Sequence, residues 1–518
     1  MDRMPIRLTF ASLLVAAGLS FIPASHTDAA DADGPALIPS PKSVKSEKGT
    51  MALTAKSRIV AADKKFLPLA KVLADEIKLT TGLAVTAAEG KAGPGDILLQ
   101  LVNGTQAEVY TLKVADRATI SGTDYTGVAW GTITLLQLLT VKDGKVSLPR
   151  VSIEDQPANE YRGVMIDVAR RLNTIAELKQ CVVMCRLYKI RYMHIHLTDD
   201  HAWTFPSTKF PKLGSSNNGY NGPAPQVYKL EELKDLVRFA DDRGVTLIPE
   251  MDVPGHTDAL RIPYPEIFDA DEGPAHMGIM NMASEKAYEG LDVLVGEMLD
   301  VFKSSPYFHF GVDEPRLDRC EVAKSYKPYL EKHKLKDSRE LYLHFIVRMD
   351  KIVKKHGRRS LIWADFGGSS TEDIVVPKDV TAIAWANGSG AGPELAKQGY
   401  SVINATWNPL YVVNQTKDTV DKVEDADGKH RPETIYKWNK FQFDSTTIDP
   451  TPKVIGGQIC AWEEGGEIQV PALRSRVPAL SERIWSPDAG KTFEDFARRY
   501  EAINPLLDKL IKPYTPGR

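Results

Sequence analysis

Apolar and polar positions divide the chain into two parts with different periodicity. Up to about residue 149, helical periods at residues 67–80 and 125–139 are mixed with strand-like runs at residues 96–101, 110–114 and 118–121. Two helices among several short strands are typical of a small α+β domain, which we place at residues 36–155. Because this part has no cluster of convergent polar residues, we predict an accessory role for it.

From residue 158 to 518, strand-like and helix-like segments alternate. The helical patterns lie at residues 175–188, 230–243, 286–302 and 341–355, and the apolar runs that predict eight strands lie at residues 163–168, 192–197, 246–250, 308–311, 360–363, 380–385, 401–404 and 454–460. Repeated βα units over this length favour a closed barrel, and no G-x-G-x-x-G motif follows the first strand to suggest a dinucleotide fold. The predicted fold class is therefore α/β: a (β/α)8 TIM barrel preceded by a small α+β domain.

Polar and aromatic residues concentrate directly after the predicted strands, where α/β barrels carry their chemistry. Asp313 and Glu314 follow the strand at 308–311, and two acids there are costly unless they are paired or used. A surface pair that begins a helix, with Pro315 in its first turn, is the alternative interpretation. Other strands are followed by Asp167 and Arg170, Asp199 and Asp200, Glu250 and His256, and by Trp363, Trp385, Trp407, Tyr411, Trp462 and Glu464. Aromatic rings with carboxylates are typical of a pocket that binds sugars.

Composition and the N-terminal segment restrict the class of protein. The 518 residues are 43% hydrophobic and 26% charged with a net charge of -3, and the scattered Lys and Arg do not form a nucleic-acid footprint. Residues 1–30 combine a basic start, an apolar stretch at residues 8–22 and small residues, which predicts a secretory signal peptide cleaved between residues 24 and 32. No later run has the length of a transmembrane helix. We expect a secreted or periplasmic protein without a membrane span.

Four motifs, taken together and in order, resemble the β-N-acetylhexosaminidases of glycoside hydrolase family 20. They are Tyr161-Arg162-Gly163-Val164-Met165-Ile166-Asp167, His196-Leu197-Thr198-Asp199-Asp200, Pro254-Gly255-His256-Thr257 and Gly311-Val312-Asp313-Glu314. The resemblance covers the chain from Leu37 to the last helix, including the small domain before the barrel.

The resemblance implies retaining hydrolysis assisted by the substrate, an exception to the usual two-carboxylate mechanism. Glu314 would protonate the leaving oxygen and later activate water, and an apolar, acid-crowded pocket would hold it protonated. Asp313 would hold the acetamide N–H while the acetamide oxygen attacks the anomeric carbon, and Tyr411 would donate to that oxygen. We expect no metal or other cofactor, because the carboxylates are assigned to acid work and the sequence shows no histidine cluster.

The resemblance also implies how the substrate, a glycan with a terminal β-N-acetylhexosamine, is held. Arg162 would bind the 3- and 4-hydroxyls and Glu464 the 4- or 6-hydroxyl, while Asp199 and His256 orient the acid. The indoles that would wall the sugar are Trp363, Trp385 and Trp462. For Arg162 a barrel-end salt bridge is the alternative, and the sequence does not decide whether Asp199 or Asp200 points inward.

Two departures from the family pattern keep other specificities open. Val312 stands where a second glycine is usual before the two acids, and Val413 stands where the family often has an aspartate two residues after the tyrosine. The leading function is an exo-β-N-acetylhexosaminidase that releases N-acetylglucosamine or N-acetylgalactosamine. The alternatives are a related glycosidase that releases a disaccharide, as a lacto-N-biosidase does, or a sulfated hexosamine, and a carbohydrate-binding barrel without catalysis.

Overall fold

The computed structural model describes residues 34–220, 222–269, 278–367, 374–385, 391–413, 432–488 and 491–515. The signal peptide predicted at residues 1–30 lies outside these ranges. Within them, no helix combines the length and the apolar character needed to cross a membrane. All four cysteines are buried free thiols.

The N-terminal domain is a mixed sheet with two helices. Its helices are α1 (Leu67–Thr81) and α2 (Tyr125–Gln137), and its strands are β1 (Ser43–Leu53), β2 (Arg58–Ala61), β3 (Thr86–Glu89), β4 (Ile97–Leu101), β5 (Tyr110–Val114), β6 (Ala118–Gly122), β7 (Thr140–Lys142) and β8 (Lys145–Asp155). The strand order is β1-β8-β5-β6-β4-β2-β3, with β7 paired to β8. Asp124 caps α2 by accepting a hydrogen bond from the backbone of Gly127, which fixes the helix start.

Eight parallel strands form a closed barrel. They are β9 (Tyr161–Asp167), β10 (Tyr192–His196), β13 (Thr246–Val253), β14 (Tyr307–Gly311), β15 (Arg359–Trp363), β16 (Thr381–Ala384), β17 (Ser401–Asn404) and β21 (Val454–Ala461). Each pairs with its neighbour in this order, and the pairing of β21 with β9 and with β17 closes the ring. The predicted (β/α)8 fold class with a smaller domain before it is confirmed.

Two short hairpins and one additional short strand lie outside the ring of eight barrel strands. These are β11 (Thr198–Asp199) with β12 (Ala202–Trp203), β19 (Gln442–Phe443) with β20 (Thr446–Thr447), and β18 (Tyr411–Val412), which pairs with β21. The hairpin of β11 and β12 turns the chain back at the end of β10. It therefore holds Asp199 over the barrel mouth.

Helices surround the barrel and connect its strands. They are α3 (Ile175–Leu187), α4 (Leu230–Asp241), α5 (Asp258–Arg261), α6 (Pro265–Phe268), α7 (Glu285–Val301), α8 (Leu317–Cys320), α9 (Tyr326–His333), α10 (Ser338–Lys355), α11 (Ala391–Lys397), α12 (Trp407–Leu410), α13 (Pro432–Lys437), α14 (Gly466–Trp485) and α15 (Phe493–Ile511). Thr174 and Glu177 form a capping box at the start of α3. Buried apolar residues of these helices face the strands.

Buried ion pairs join the N-terminal domain to the amino end of the barrel. Arg186 of α3 lies 2.7 Å from Glu76 of α1, and Lys189 lies 2.9 Å from Asp155 at the end of β8. These side chains are almost completely buried, so each charge depends on its partner. The opposite end of the barrel, where the strands have their carboxyl termini, remains accessible for the site.

Candidate active site

The end of β14 leaves regular strand geometry, and this brings two neighbouring acids to one place. Gly311, Val312 and Glu314 all have positive φ angles, of 66°, 77° and 45°. Successive residues of a regular strand point to opposite faces, so a continued strand would separate Asp313 from Glu314. Gly311 is required here, because a Cβ atom would lie 1.7 Å from a carboxylate oxygen of Asp252.

His256, which follows β13, connects acids that follow two other strands, β10 and β14. Its Nε2 atom lies 3.6 Å from Asp313 Oδ2 and 3.5 Å from Glu314 Oε2. Its Nδ1 atom lies 3.8 Å from Asp199 and 3.6 Å from Asp200. Burial acts to lower the pKa of His256, but Asp199 and the other acids outweigh it and raise that pKa well above its usual value. The ring is therefore an imidazolium between four carboxyl groups.

Asp313 forms a buried carboxyl pair with Asp252, the last acidic residue of β13. Burial, followed by the charge of Asp313, raises the pKa of Asp252 well above its usual value, and burial raises the pKa of Asp313 as well. Neither carboxylate oxygen of Asp252 has a hydrogen-bond partner among the described residues. Two close buried carboxyl groups with raised pKa values can share one proton. The pair thus keeps Asp313 in a fixed orientation.

Glu314 is the exposed member of the acidic pair. Its side chain is 60% exposed, compared with 12% for Asp313. The hydrogen bond and positive charge of His256 lower the pKa of Glu314 below its usual value. The prediction that an apolar, acid-crowded pocket holds Glu314 protonated was therefore wrong for the protein as it stands, because the imidazolium and solvent favour the carboxylate.

Aromatic side chains from four strand ends form a cavity beside the acids. Trp363 donates through Nε1 to Glu250 at 2.8 Å, and Trp385 donates to Asp365 at 2.8 Å. Tyr411 stacks against Trp407 with ring centroids 4.6 Å apart. This central cavity has a volume of about 230 Å³ and is lined by Arg170, His256, Asp313, Glu314, Trp363, Trp385, Trp407, Tyr411, Val413, Trp462 and Glu463.

Arg170 and Asp199 form the charged floor of the central cavity. A guanidinium nitrogen of Arg170 lies 2.8 Å from Asp199 Oδ2, and another lies 3.2 Å from Asp167 Oδ2. The guanidinium also lies 5.1 Å from the ring centre of Trp462. Burial favours protonation of Asp199, but Arg170 and His256 outweigh it and hold the pKa of Asp199 well below its usual value. Asp199 is therefore the buried anion that anchors both cations.

Comparisons with known proteins identify the family of this arrangement. Residues 159–488 match the sequence profile of the glycosyl hydrolase family 20 catalytic domain, and residues 34–156 match that of glycosyl hydrolase family 20, domain 2. The chain belongs to glycosyl hydrolase family 20.

Individual relatives cover this family 20 chain to different extents. It is 28% identical over 500 residues to a beta-hexosaminidase of Porphyromonas gingivalis, a match that covers 91% of this chain but 63% of the relative. It is 24% identical over 498 residues to a beta-N-acetylhexosaminidase of Cellulomonas fimi, covering 92% and 95% of the two chains. The beta-N-acetylhexosaminidase structure from Bacteroides fragilis superposes with a TM-score of 0.78 at 22% identity, covering 92% and 96%. This last likeness shows the shared fold.

Most residues predicted for the family 20 site lie around the central cavity. Asp313, Glu314, His256, Trp363, Trp385, Tyr411 and Trp462 line it, and Asp199 lies below it in contact with Arg170. Asp199 rather than Asp200 points inward, since Asp200 accepts a hydrogen bond from the backbone of Asp258. The catalytic and binding roles assigned to these residues stay predictions.

Arg162 lies at the opposite end of the barrel, and its predicted role was wrong. It is fully buried near the start of β9, pairs with Glu108 of the N-terminal domain and donates to the backbone oxygens of Asn159 and Lys189. No sugar in the central cavity can reach it. Arg162 therefore forms the barrel-end salt bridge that was the alternative interpretation. The arginine that lines the central cavity is Arg170.

Glu464 does not line the central cavity in the structure, whereas its neighbour Glu463 does. Glu463 has a φ angle of 69°, and its backbone N–H donates to Asp167 Oδ2 at 3.1 Å. Burial raises the pKa of Glu464, which lies half-buried beside this turn. The turn thus presents Glu463, rather than the predicted Glu464, to the cavity.

Three histidines surround Glu250 below the cavity, contrary to the expectation that no histidine cluster exists. His194 and His309 each lie 3.0 Å from Glu250, and His196 lies 2.6 Å from it. His194, Glu250 and His309 are close enough to hold a metal ion, as are two overlapping groups that include Asp252. However, Glu250 accepts a hydrogen bond from Trp363. Burial acts to lower the pKa of His196, but Glu250 and Asp199 together outweigh it and raise that pKa to about 10. We therefore assign the cluster to support of the cavity wall.

Sequence reasoning missed several residues of the site. Glu250 and Asp252 were visible at a strand end but were not selected, and Arg170 was passed over in favour of Arg162. Trp407 was noted beside Tyr411 without being placed in the site. Asp365, two residues after Trp363, carried no sequence signal, because its partners come from other strands.

Proposed function

We propose that this family 20 chain is a retaining exo-β-N-acetylhexosaminidase that releases terminal N-acetylglucosamine or N-acetylgalactosamine from glycans by substrate-assisted catalysis. The observation that carries the proposal is the meeting of Asp313 and Glu314 at one nitrogen of His256. Both acids therefore lie on the same wall of the central cavity, around one imidazolium. A retaining mechanism with two carboxylates needs an acid and a nucleophile on opposite sides of the glycosidic bond.

The missing nucleophile is supplied by the substrate in this proposal. The carboxylate of Asp313 accepts a hydrogen bond from the acetamide N–H, and Tyr411 donates to the acetamide oxygen. A lone pair of that oxygen attacks the anomeric carbon while the bond to the leaving oxygen breaks. Glu314 transfers its proton to the leaving oxygen, which produces an alcohol and an oxazolinium intermediate held by Asp313.

The second step restores the enzyme. The carboxylate of Glu314 accepts a proton from water as the water oxygen attacks the anomeric carbon and the acetamide oxygen leaves. Two inversions give net retention of configuration. Glu314 must carry a proton for the first step, and a sugar that covers its exposed side chain would raise its pKa by removing solvent.

The size and lining of the central cavity support release of one terminal sugar. Its volume of about 230 Å³ suits a single ring unit, and the indoles of Trp363, Trp385 and Trp462 offer apolar faces for the sugar and its acetyl methyl group. Arg170 and Glu463 provide donors and acceptors for ring hydroxyls. These features favour an exo-acting hydrolase over an enzyme that binds within a long polymer.

A panel of aryl β-glycosides with and without the 2-acetamido group tests this function. We expect cleavage of the 2-acetamido compounds, no measurable cleavage of the matching glucoside and galactoside, and loss of about 10²-fold or more in Glu314→Gln. The matched control Glu321→Gln, at an exposed position nearby, should keep full activity. Cleavage that does not depend on the 2-acetamido group would refute the mechanism, and binding without cleavage would favour a carbohydrate-binding barrel.

Val413 favours a second candidate function within the same family. This apolar side chain lines the central cavity two residues after Tyr411. Valine cannot accept a hydrogen bond as an aspartate would, so this position does not select for a free 4- or 6-hydroxyl and leaves room for a sugar modified there. Activity on aryl glycosides of 6-sulfated N-acetylhexosamine or of a disaccharide, with none on the simple glycosides, would support this candidate.

We also propose export to the periplasm or the medium, on the basis of the basic and apolar pattern of residues 1–30. N-terminal sequencing of the exported protein tests it. A mature protein that starts between residues 25 and 32 is expected, and a protein that retains residue 1 inside the cell would contradict export.

A further inference from the structure

Asp365 contacts two parts of the site that come from different strands. It lies in the short 3₁₀ turn Ala364–Phe366 that directly follows β15. One carboxylate oxygen accepts from the backbone N–H of Glu314 at 3.3 Å, and the other accepts from Nε1 of Trp385 at 2.8 Å. Since β15 lies between β14 and β16, this single carboxyl group connects the acid of one neighbour to the indole of the other.

The conformation of Glu314 gives the first of these bonds a function. Its φ angle of 45° is in the left-handed region, which is unfavourable for a residue with a side chain. The hydrogen bond that its N–H donates to Asp365 helps to keep that conformation. The conformation in turn sets the direction of the Glu314 side chain. Loss of the bond would allow the Glu314 carboxyl group to move away from the leaving oxygen.

The surroundings of Trp385 give the second bond a function. Next to the indole is a second cavity of about 240 Å³, here called the rear cavity, whose lining includes Ala364, Ala384, Ala391, Gly392, Phe443 and Asp444. Many of these residues are small. Packing from behind is therefore weak, and the hydrogen bond to Asp365 fixes the indole against the central cavity.

We propose that Asp365 is a positioning residue, which holds Glu314 in its reactive orientation and Trp385 in the wall of the sugar pocket at the same time. The proposal rests on the proposed function for the role of Glu314, whereas the link between Asp365 and Trp385 is independent of it.

The charges around Asp365 make this link sensitive to pH. Burial and the neighbouring charge of Asp313 raise the pKa of Asp365 to about 7. Glu314 also faces the group from β14, Arg339 and Tyr342 face it from α10, and Trp385 faces it from β16. As pH rises through about 7, Asp365 becomes a carboxylate, which is a stronger acceptor for the indole N–H.

A leaving-group series tests the connection to Glu314. Asp365→Ala and Asp365→Asn are compared on phenyl and 2,4-dinitrophenyl glycosides of N-acetylglucosamine, since the second leaves without help from an acid. Because a misplacement of 1 Å costs about 10²-fold, we expect a loss of that order on the phenyl compound and a clearly smaller loss on the dinitrophenyl compound. Asp444→Asn, on the far wall of the rear cavity, is the matched control and should change neither rate. Equal losses on both substrates would overturn the proposal.

An NMR titration tests the connection to Trp385 without any activity. The ¹⁵N indole resonance of Trp385, assigned with Trp385→Phe, should shift with a midpoint near pH 7 in the unmodified protein, and the shift should vanish in Asp365→Asn. A resonance that titrates identically in both proteins would overturn the proposal. If the unmodified protein cleaved no glycoside, the proposed function would fail while this titration still decided the role of Asp365.

Discussion

The imidazole Nε2 of His256 lies 3.5 Å from Oε2 of Glu314, and this contact sets the charge of the exposed acid. His256 is cationic because its pKa is raised well above the usual value, and it in turn lowers the pKa of Glu314. The acidity of Glu314 therefore depends on one neighbouring ring.

Replacement of that ring should move the pH profile in a defined direction. In His256→Gln the pKa of Glu314 rises, so the alkaline limb of kcat/KM moves to higher pH, and kcat falls because Glu314 loses an orienting contact. Initial rates on an aryl N-acetylglucosaminide from pH 3 to 9 measure both effects. His356→Gln, directly after α10 and remote from the site, serves as the control. If the alkaline limb of kcat/KM stays in place or moves to lower pH, His256 does not set the pKa of Glu314.

Two arginines at opposite ends of β9 should respond differently to the same substitution. Arg170→Lys should raise KM, because lysine cannot bridge Asp167 and Asp199 as the planar guanidinium does. Arg162→Lys should leave KM unchanged and lower the free energy of unfolding, by up to about 3–5 kcal/mol if the pair with Glu108 is lost. Steady-state kinetics and urea unfolding of both variants decide the assignment. A raised KM in Arg162→Lys with none in Arg170→Lys would reverse it.

At Val312, replacement by glycine should destabilise the protein less than replacement by alanine, which is the reverse of the usual order within a strand. The φ angle of 77° here costs a β-branched residue about 1–3 kcal/mol, and alanine keeps that strain whereas glycine does not. We expect Val312→Gly to unfold at a higher temperature than Val312→Ala. At Val164, within regular strand β9, alanine should be the better of the two by about 0.5–1 kcal/mol. The same order at both positions would show that the left-handed backbone at Val312 carries no strain.

Strands that are buried on both faces could be predicted from the sequence. An exposed strand such as β1 could not, because it depends on its pairing partner. The run from Tyr307 to Gly311 is apolar except for His309, because both faces of β14 are buried. By contrast, most of β1 carries exposed polar residues, and it is a strand because it pairs with β8. Its pattern contains no alternation that would reveal it.

For the site, the rule that chemistry lies at the carboxyl ends of barrel strands would have distinguished the two arginines. Arg162 stands near the beginning of β9 and Arg170 follows its end, so strand direction alone favours Arg170. The pairing of Asp252 with Asp313 and the contacts of Asp365 depend on which strands are neighbours. Those relationships require the closed barrel.

The pH dependence of thermal stability should reveal the cost of burying a charge on Asp365. Its pKa is about 7 in the folded protein and about 3.9 when unfolded, so between these pH values the unfolded chain binds fewer protons and stability falls as pH rises. Asp365→Asn removes this effect. The melting temperature of the variant relative to the unmodified protein should therefore be higher at pH 8 than at pH 4. A difference that is the same at both pH values would contradict the raised pKa.

In the proposed reaction the attacking atom belongs to the acetamide group of the substrate. The most direct test of this is kcat/KM on aryl glycosides whose N-acetyl group carries zero, one, two or three fluorine atoms. Fluorine withdraws electrons from the acetamide oxygen, so kcat/KM should fall steeply and continuously across the series. A rate that is independent of fluorine number, together with a sugar covalently attached to the protein, would contradict it.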